Sequence, residues 1–590
     1  MSASEIHPLT LSTVWHAMQR ICREMRHLID RTSQFYLISQ MHDISVGIWD
    51  ARGDTVAIPV GLTAQYVGGK FSVRYILNEF QNDLYPGDAL LVNDPYHGYT
   101  CHTPDWGVFR PIFYNGELSF FTLARAHMED TGAAYPGAYF SNPYDIHSEG
   151  ILIPPTKILE KGKEKRDILR LIFNNVRLPE NVRVDVQSLV AATQLCEDRM
   201  VALLDRYGRE TVLACVQQMK DRSERAIREA IRQIPDGTYF GESATDNDGV
   251  DLDTPVWIRC EVTVKDDEMV IDFSRSDPAK KGAVNAQYMT TYSCAFAAAI
   301  LFFDPALADY HNEGSMGPIT IKAPEGSVLN AQYPAPGGTS PVNVGGNIIE
   351  AVTNALSKAL PHRAVAAWGR RFGHYVYGNH PRTGQLYVYP GYEAEGGAGA
   401  VYGFDGYHGT GSMGTLGEIV RPNTEDIEIK YPWRTIRREY RMDSCGAGRW
   451  RGGPGMEWEA VNEGEECGMH TGAGHGETTF GPGAMGGQST PANVCYILRG
   501  EHLHAARCHK LHQILPGDHV IRKTGGGAGV GRPEERDPQK VWEDVFIHKL
   551  VSLEAAREVY KVVIDPIRRQ IAWEATVALR SAAMATPAEG

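Results

Sequence analysis

The sequence predicts a mixed helix-and-strand protein of the α+β class with several domains, and three observations indicate this. Apolar residues recur at three- and four-residue spacing over residues 11–33, which is typical of an amphipathic helix. Short β-like runs separated by turn residues follow between residues 44 and 124. The length of 590 residues exceeds that of one ordinary domain, which is about 150 residues.

The predicted elements follow one another along the chain. A turn at residues 51–54 predicts a first hairpin, and residues 89–92 form the next strand. Asn115-Gly116 predicts a hairpin between residues 108–113 and 120–124, because Asn-Gly is the preferred dipeptide of tight hairpin turns. The later expectations are two long helices over 186–234 broken at Gly208, strands over 237–275, a helix over 346–360, a strand- and turn-rich segment over 430–530 and helices over 538–580.

Composition and charge argue against several functional classes. The chain has 58 Lys+Arg and 72 Asp+Glu, a formal net charge of −14, so a basic nucleic-acid-binding face is not expected. The longest apolar run, Cys294–Phe303, is shorter than the roughly 20 residues of a membrane span. No secretory signal is recognised in residues 1–11, and the ten cysteines form no C-x-x-C pair. A cytoplasmic protein with reduced thiols is therefore expected.

Glycine is over-represented. It accounts for 61 of the 590 residues, a larger share than the usual value of about 7%. No G-x-x-x-x-G-K-[ST] run occurs, and the glycines at 525–529 are not followed by a helix with a suitably placed acidic residue. If the protein uses ATP, another chain is therefore expected to bind it. In the glycine clusters we expect tight turns packed against the metal-binding region and a partner subunit. The clusters lie at 337–346, 391–417, 446–455, 472–487 and 525–531.

Histidine and aspartate residues concentrate in the first quarter of the chain. His102 and Asp105 stand three residues apart after a predicted strand, and His127 and Asp130 repeat this spacing at the end of a hairpin strand. Asp43 opens an earlier strand. Imidazole together with carboxylate suits Mn, Fe or Zn, and three protein ligands with an open position would make the site catalytic. The alternative is polar residues that cap loops at strand ends.

Several short sequence blocks, taken in order along the chain, resemble the hydantoinase B/oxoprolinase family. The blocks of the first third are Pro86-Gly87-Asp88, Asn93-Asp94-Pro95-Tyr96, His102-x-x-Asp105, Ala126-His127-x-x-Asp130-x-Gly132, Glu149-Gly150-x-x-Ile153-Pro154-Pro155 and Asn175-Val176-Arg177-x-Pro179-Glu180. The later blocks are Asp443-Ser444-x-Gly446-Ala447-Gly448-Arg449-Trp450-Arg451-Gly452-Gly453, Thr524-x-Gly526-Gly527 and Arg536-Asp537-Pro538. Because these blocks span nearly the whole chain, the resemblance is specific although each block is short.

The resemblance implies one subunit of a hetero-oligomeric enzyme. In this family a B-type chain works with an A-type partner of actin-like fold, which uses ATP to activate a small-molecule carbonyl substrate by phosphorylation. The B-type chain would bear a divalent metal (Mn, Zn or Fe), and the resemblance places its ligands at Asp43, His102, Asp105 and His127.

The expected reaction is hydrolysis of a cyclic amide, such as an oxoproline, a hydantoin or a lactam. One alternative is an ATP-dependent ketone carboxylase of the acetone or acetophenone type, with bicarbonate as a possible co-substrate. Another is a non-catalytic scaffold that has lost its metal. Neither a nucleic acid nor a membrane is expected as a partner.

Further side chains are candidates for roles in the reaction. Asp130 or His97 could serve as a general base or could orient a ligand. His408, inside the glycine-rich segment 391–417, could line the substrate path or a partner interface. A histidine-rich segment could bind a second metal, but its spacing fits no closed tetrahedral template and a solvated hairpin is favoured: His502, His504, Cys508, His509 and His512.

The chain departs from the family pattern beside the predicted ligands. Many members read Asn-Asp-Pro-Tyr-x-Gly-Gly-Thr-His, whereas the run Gly98-Tyr99-Thr100-Cys101-His102 contains an additional residue and a tyrosine. Trp106 follows Asp105, and Cys445 stands where glycine is frequent. Because these residues flank the predicted pocket, an aromatic or flat substrate is one hypothesis.

Five segments are predicted from these patterns. They are a strand-rich metal-binding catalytic region over 1–180, a helical segment over 181–236, a mixed α/β region with glycine-rich loops over 237–430, a β-rich region over 431–535 and C-terminal helices over 536–590.

Overall fold

A computed structural model describes residues 6–59, 62, 65, 67–140, 142–370, 373–410, 413–415, 419–472 and 475–584. The chain forms two compact units. The first comprises Met1–Thr238, Arg259–Ile349 and Gly414–Val420, and the second comprises Tyr239–Ile258, Glu350–Met413 and Arg421–Gly590. The combination of helices and sheets confirms the predicted fold class. The five-segment division stays a prediction.

An antiparallel sheet organises the first unit. Its strand order is β2–β1–β5–β4–β3–β6–β7. The strands are β1 (Ile44–Asp50), β2 (Thr55–Ala57), β3 (Ala89–Val92), β4 (Asp105–Tyr114), β5 (Glu117–His127), β6 (Thr156–Glu160) and β7 (Lys163–Glu164). The turn between β4 and β5 has φ of 51° at Asn115 and 81° at Gly116, the left-handed values that the predicted Asn-Gly turn requires.

Long helices pack on this sheet. Helix α1 buries the stripe that contains Leu11, Val14 and Met18, and it packs against α5 and β1. Gly208, with a φ of 80°, separates α5 from α6, as the sequence predicted. The helices of this unit are α1 (Pro8–Thr32), α2 (Tyr36–Ser39), α3 (Gly69–Phe80), α4 (Arg166–Phe173), α5 (Pro179–Tyr207), α6 (Arg209–Arg232), α7 (Tyr288–Ile300) and α8 (Glu313–Met316).

The middle of the chain adds further strands and one long helix. Strand β10 pairs antiparallel with β9 and parallel with β11. The helix predicted at 346–360 begins earlier, at Ser340. The elements are β8 (Gly237–Thr245), β9 (Val256–Lys265), β10 (Glu268–Asp272), β11 (Ile319–Lys322) and α9 (Ser340–Ala359).

Two antiparallel sheets organise the second unit, with strand orders β13–β12–β16–β19 and β14–β15–β20–β17–β18. The strands between residues 430 and 530 confirm the prediction that this segment is rich in strands and turns. The strands are β12 (His374–Asn379), β13 (Leu386–Gly391), β14 (Trp433–Tyr440), β15 (Met456–Asn462), β16 (Cys467–His470), β17 (Val494–Arg499), β18 (His502–Ala505), β19 (Leu511–Ile514) and β20 (His519–Lys523).

The C-terminal segment is less helical than predicted. A small hairpin interrupts it, because Pro566 cannot continue a helix and the Asp565 carboxylate accepts the N–H groups of Ile567 and Arg568. Within the described ranges no helix is long and apolar enough to cross a bilayer. The remaining elements are α10 (Thr424–Lys430), α11 (Pro538–Phe546), α12 (Leu553–Glu558), β21 (Ile564–Asp565), β22 (Gln570–Ile571) and α13 (Trp573–Met584).

Glycine-rich segments form part of the interior of the second unit. The Gly527 N–H donates to the Gly453 carbonyl at 2.9 Å, and the Gly453 N–H donates to the Ala398 carbonyl at 2.8 Å. A Cβ at Gly527 would lie 1.8 Å from the Ala398 oxygen, and one at Gly452 would lie 1.8 Å from the Gly527 oxygen. These three glycines do not have left-handed φ values, whereas other glycines of the predicted clusters do: Gly403, Gly409, Gly476, Gly486 and Gly531. The expectation of turns at a subunit interface stays a prediction. Close approach of neighbouring backbones is what requires glycine.

Candidate metal centre

Strand register brings predicted ligands to one end of the sheet in the first unit. Asp105 is the first residue of β4, His127 is the last residue of β5, and the two are register partners. Asp43 immediately precedes β1, whose Ile44 pairs with Ala126 of β5. The beginnings of β1 and β4 therefore meet the end of β5, as adjacent antiparallel strands require.

The Asp105 carboxylate is the centre of a cluster of polar side chains. Its Oδ1 lies 3.0 Å from His102 Nε2 and 3.4 Å from His127 Nδ1. Gln65 Nε2 donates to Asp43 Oδ1 at 2.6 Å and to Asp105 Oδ1 at 3.3 Å, so one amide links the two carboxylates. The structure thus gathers all four predicted ligands in one place.

The cluster is shielded from solvent. Asp105, His127, His102 and Asp43 are 0%, 1%, 2% and 8% exposed. The Tyr139 ring packs on both imidazoles, with centroid distances of 5.6 Å to His102 and 5.3 Å to His127. Ionic interactions are stronger where water is excluded, so these donors are well placed to hold a cation.

The charges of the cluster are coupled. Burial alone would raise the pKa of Asp105, but the imidazoles of His102 and His127 more than offset burial and hold this pKa well below its usual value. Burial alone would lower the pKa of His102, but the Asp105 carboxylate and the Gly338 carbonyl raise it. A cation bound at this position would replace imidazole protons as the partner of the carboxylate.

A second layer of contacts orients His102. Its Nδ1 lies 2.7 Å from the Gly338 carbonyl, which can only accept, so Nδ1 carries the proton and Nε2 faces Asp105. The Glu149 carboxylate accepts the N–H groups of Gly337 and Gly338 at 2.9 and 2.7 Å and thereby fixes the same segment. Burial raises the pKa of Glu149 to about 7, although these N–H groups oppose the shift.

Asp130 contacts a different partner. Its fully buried carboxylate pairs with Arg177, with Oδ1 3.0 Å from Nη1, and it also accepts the Arg177 backbone N–H. The same Oδ1 accepts the Gly132 N–H at 3.3 Å. These contacts anchor the segment that follows β5, and a catalytic role for Asp130 stays a prediction.

His97 and His408 lie in different units. His97 is half-exposed in the first unit, and its Nδ1 lies 3.0 Å from Asp94 Oδ2. His408 belongs to the second unit, where its ring packs edge-on against Tyr440 at 5.0 Å. Burial, with help from Arg451, lowers the pKa of His408. Their catalytic roles also stay predictions.

The histidine-rich segment near residue 510 does not converge on one point. His502 and His504 are exposed on β18, with ring centroids 6.5 Å apart, whereas Cys508 and His509 are buried. His512 Nε2 lies 3.2 Å from the Arg507 carbonyl. The antiparallel pair of β17 and β18 matches the solvated hairpin that the sequence favoured over a second metal.

Three residues of the centre were missed in the sequence. Cys101 Sγ lies 2.5 Å from Asp105 Oδ2, and burial raises the pKa of this thiol, so it donates to the carboxylate. The adjacency of Cys101 to His102 was a signal that could have identified it. Gln65 and Glu149 are distant in sequence from the ligands, and for them only the family-like block at Glu149 gave a hint.

The chain resembles known proteins over nearly its whole length. A family model described as hydantoinase B/oxoprolinase matches residues 7–533. The chain is 30% identical to the beta subunit of a caprolactamase from Pseudomonas jessenii, covering 95% of this chain and 97% of that one. It is 29% identical to the B chain of a putative D-/L-hydantoinase from Pseudomonas sp. (strain NS671), covering 98% of each. It is 26% identical to the acetophenone carboxylase delta subunit of Aromatoleum aromaticum, covering 92% and 84%.

A solved structure shows the same fold. The crystal structure of ATP-dependent caprolactamase from Pseudomonas jessenii superimposes with a TM-score of 0.89 at 28% identity, covering 98% of this chain and 100% of that chain. These relatives are enzyme subunits, in agreement with the sequence prediction. This chain belongs to the hydantoinase B/oxoprolinase family.

Proposed function

We propose that this chain is the metal-bearing subunit of an ATP-dependent enzyme that activates a carbonyl group, and that the enzyme hydrolyses a cyclic amide such as a lactam, a hydantoin or an oxoproline. The observation that carries this proposal is the buried cluster of Asp43, His102, Asp105 and His127. The similarity to one chain of a caprolactamase over 95% of this chain supports the substrate class.

The ATP-using partner in this proposal is an A-type subunit of actin-like fold. Two relatives carry the designations beta and B within their enzymes, which supports a hetero-oligomer. The glycine-rich segment around Gly527 packs on neighbouring backbones inside the second unit, so it is not available to cradle phosphate groups. ATP binding by another chain is consistent with that packing.

The donor set fits a divalent ion such as Mn, Zn or Fe. Two imidazoles and two carboxylates are the ligands that such ions accept. The separations of 3.0 and 3.4 Å around Asp105 Oδ1 are those expected between neighbouring ligand atoms of one ion with bonds of about 2.0–2.2 Å. The carbonyl contact of His102 Nδ1 directs Nε2 inward, as a metal-bound histidine requires.

The surrounding residues prepare the site for chemistry. When bound, the ion would supply Lewis-acid polarisation of a substrate oxygen and a bound water of lowered pKa. Tyr139 covers the imidazoles and limits access of bulk water. Gln65 fixes the two carboxylates relative to each other, and Glu149 holds the backbone that orients His102. Fixed donors of this kind stabilise developing charge without reorganisation.

A ketone carboxylase subunit is the second candidate function. The similarity to the acetophenone carboxylase delta subunit over 92% of this chain favours it. The same buried cluster would serve a reaction of an activated ketone with bicarbonate. A non-catalytic scaffold is the remaining alternative, and a cluster of four buried donors weighs against it.

The test is reconstitution of the chain with its co-expressed A-type partner. We expect ATP-dependent ring opening of caprolactam, hydantoin or 5-oxoproline that does not require bicarbonate. Turnover of acetone or acetophenone only with bicarbonate would favour the carboxylase. A chain that binds no divalent ion when one is added, and that supports no ATP-dependent turnover, would favour the scaffold. A complex with His102→Ala is the matched control and should be inactive.

A further inference from the structure

We propose that Cys101 is an additional ligand of the metal, so that the site of this chain combines a thiolate with imidazole and carboxylate donors. This inference rests on the proposed function, because it presumes that the cluster binds a metal. It concerns a residue outside the ligand set that the family resemblance implies.

The position of the Cys101 sulfur supports this role. One ligand atom each from Cys101, His102 and Asp105 lie within 4.8 Å of one another, and all three residues are buried. Among the described residues, these three therefore form a group compact enough for a metal ion, and two of them belong to the proposed ligand set. The sulfur faces Asp105 Oδ2, while Asp105 Oδ1 faces His102 Nε2.

The backbone around Cys101 holds the sulfur in place. The Cys101 carbonyl accepts from Thr290 Oγ1 at 3.2 Å and from Ser340 Oγ at 3.4 Å, both in the same unit. Thr100 Oγ1 donates to the Asn93 carbonyl at 2.7 Å, which fixes the preceding residue. The segment that carries the Cys101 thiol is therefore restrained at Thr100 and at the Cys101 carbonyl.

A thiolate ligand would also balance the charge of a centre that holds a divalent ion. The Arg125 guanidinium is fully buried beside the cluster, and its Nη1 donates to the Gln65 carbonyl. Two carboxylates, one guanidinium and a divalent ion would leave an excess positive charge among these groups, and a thiolate offsets it. As the metal–sulfur bond forms, the thiol proton leaves to solvent. A soft sulfur donor favours zinc over manganese.

Cobalt substitution tests the inference directly. The metal-free chain is loaded with Co²⁺, and its near-ultraviolet thiolate-to-cobalt charge-transfer band is recorded. The wild-type chain and the Cys22→Ser variant should show this band, because Cys22 is a buried thiol of the same unit that faces Ala57. The Cys101→Ser variant should lose the band, retain visible cobalt bands and bind zinc at least about tenfold more weakly.

X-ray absorption of the zinc-loaded wild-type chain gives a second measurement that needs no variant. One sulfur scatterer at about 2.3 Å is expected. Wild-type protein that binds cobalt or zinc without a sulfur signal overturns the inference and leaves the proposed function standing. Wild-type protein that binds neither ion overturns the metal site of the proposed function, and the inference with it.

Discussion

His102 in the first unit and His374 in the second are both buried, at 2% and 0% exposure, but their surroundings differ. His102 faces a carboxylate, and its pKa is raised despite burial. His374 packs against the rings of Tyr389 and Trp458, and burial together with Arg522 lowers its pKa well below the usual value. Neither ring nitrogen of His374 has a hydrogen-bond partner among the described residues.

The comparison shows that burial alone does not set the pKa of a histidine, because the neighbouring charges act in opposite directions in the two places. A nearby carboxylate supplies the negative charge that a cation needs, and the strand register of β4 and β5 supplies that carboxylate at Asp105. In the second unit, His374 instead meets two aromatic rings and the Arg522 guanidinium, and the glycine-rich segments pack backbone against backbone. Loss of a side chain from the cluster should therefore disrupt the first unit's site, whereas an added Cβ should destabilise the packing of the second unit.

The largest expected effect comes from removing a proposed metal ligand in the first unit. His102→Ala should lose the bound divalent ion and reduce turnover of the reconstituted complex by at least about a hundredfold, since even the partners of metal ligands contribute about 10–100-fold. Metal content by mass spectrometry and turnover check this. The matched control is His374→Gln, another buried histidine substitution, which should keep its metal. Full metal content in His102→Ala would contradict the assignment.

The next largest effect is expected on stability in the second unit. Gly527→Ala places a Cβ 1.8 Å from the Ala398 carbonyl oxygen, and relieving that clash requires movement of the backbone. The free energy of unfolding should fall by about 3 kcal/mol or more. Denaturant titration measures this change.

The control for this substitution is Gly384→Ala in the same unit. Gly384 has no neighbour within 4 Å of the added Cβ, so only its φ of 66° opposes alanine. That conformation costs about 1 kcal/mol. Equal stability losses for the two variants would show that close backbone packing around Gly527 does not limit the residue type.

A smaller effect is expected from the layer behind His102. Glu149→Ala removes the acceptor of the Gly337 and Gly338 N–H groups and frees the carbonyl that orients the imidazole. The affinity for the divalent ion should fall by about 10–100-fold while the fold is retained. Competition with a chelator measures the affinity, and circular dichroism checks the fold. An unchanged affinity for the divalent ion would show that Glu149 does not contribute to the site.

The smallest effect is the pH dependence that His374 contributes. Burial lowers its pKa in the folded state, so below about pH 6.5 the unfolded chain binds a proton that the folded chain does not bind. Stability should therefore fall as the pH drops below 6.5, by at most about 1.4 kcal/mol per pH unit from this group. His374→Gln should flatten the dependence between pH 6.5 and 5. Identical slopes for both proteins would contradict this account.

Many helices and turns were predictable because the sequence signals that specify them lie within a few residues. The stripe of helix α1, the Asn115-Gly116 turn and the break at Gly208 depend on neighbours within a few residues. The helix α7 escaped prediction because it is apolar on nearly all sides and therefore lacks a clear amphipathic period. The C-terminal hairpin was not predicted, although Pro566, which cannot continue a helix, stands within the predicted helical segment 538–580.

The predicted ligands were recognisable from the sequence because His102, Asp105 and His127 stand at strand ends and in family-like blocks. The residues that complete the centre were not recognisable from the sequence. Gln65 and Glu149 reach it only through the folding of distant segments onto the sheet. Sequence spacing carries no information on such contacts, since they depend on how the chain returns in three dimensions.

The sequence by itself determined the family, the fold class and the candidate ligands, because ordered blocks and short-range periodicity are written along the chain. The tertiary structure alone decided which side chains meet. It set Cys101 against Asp105, placed His408 in the other unit, and gave Gly452, Gly453 and Gly527 an interior role. The physical reason is that strand register and close backbone packing are long-range properties, fixed only when both partners are in place.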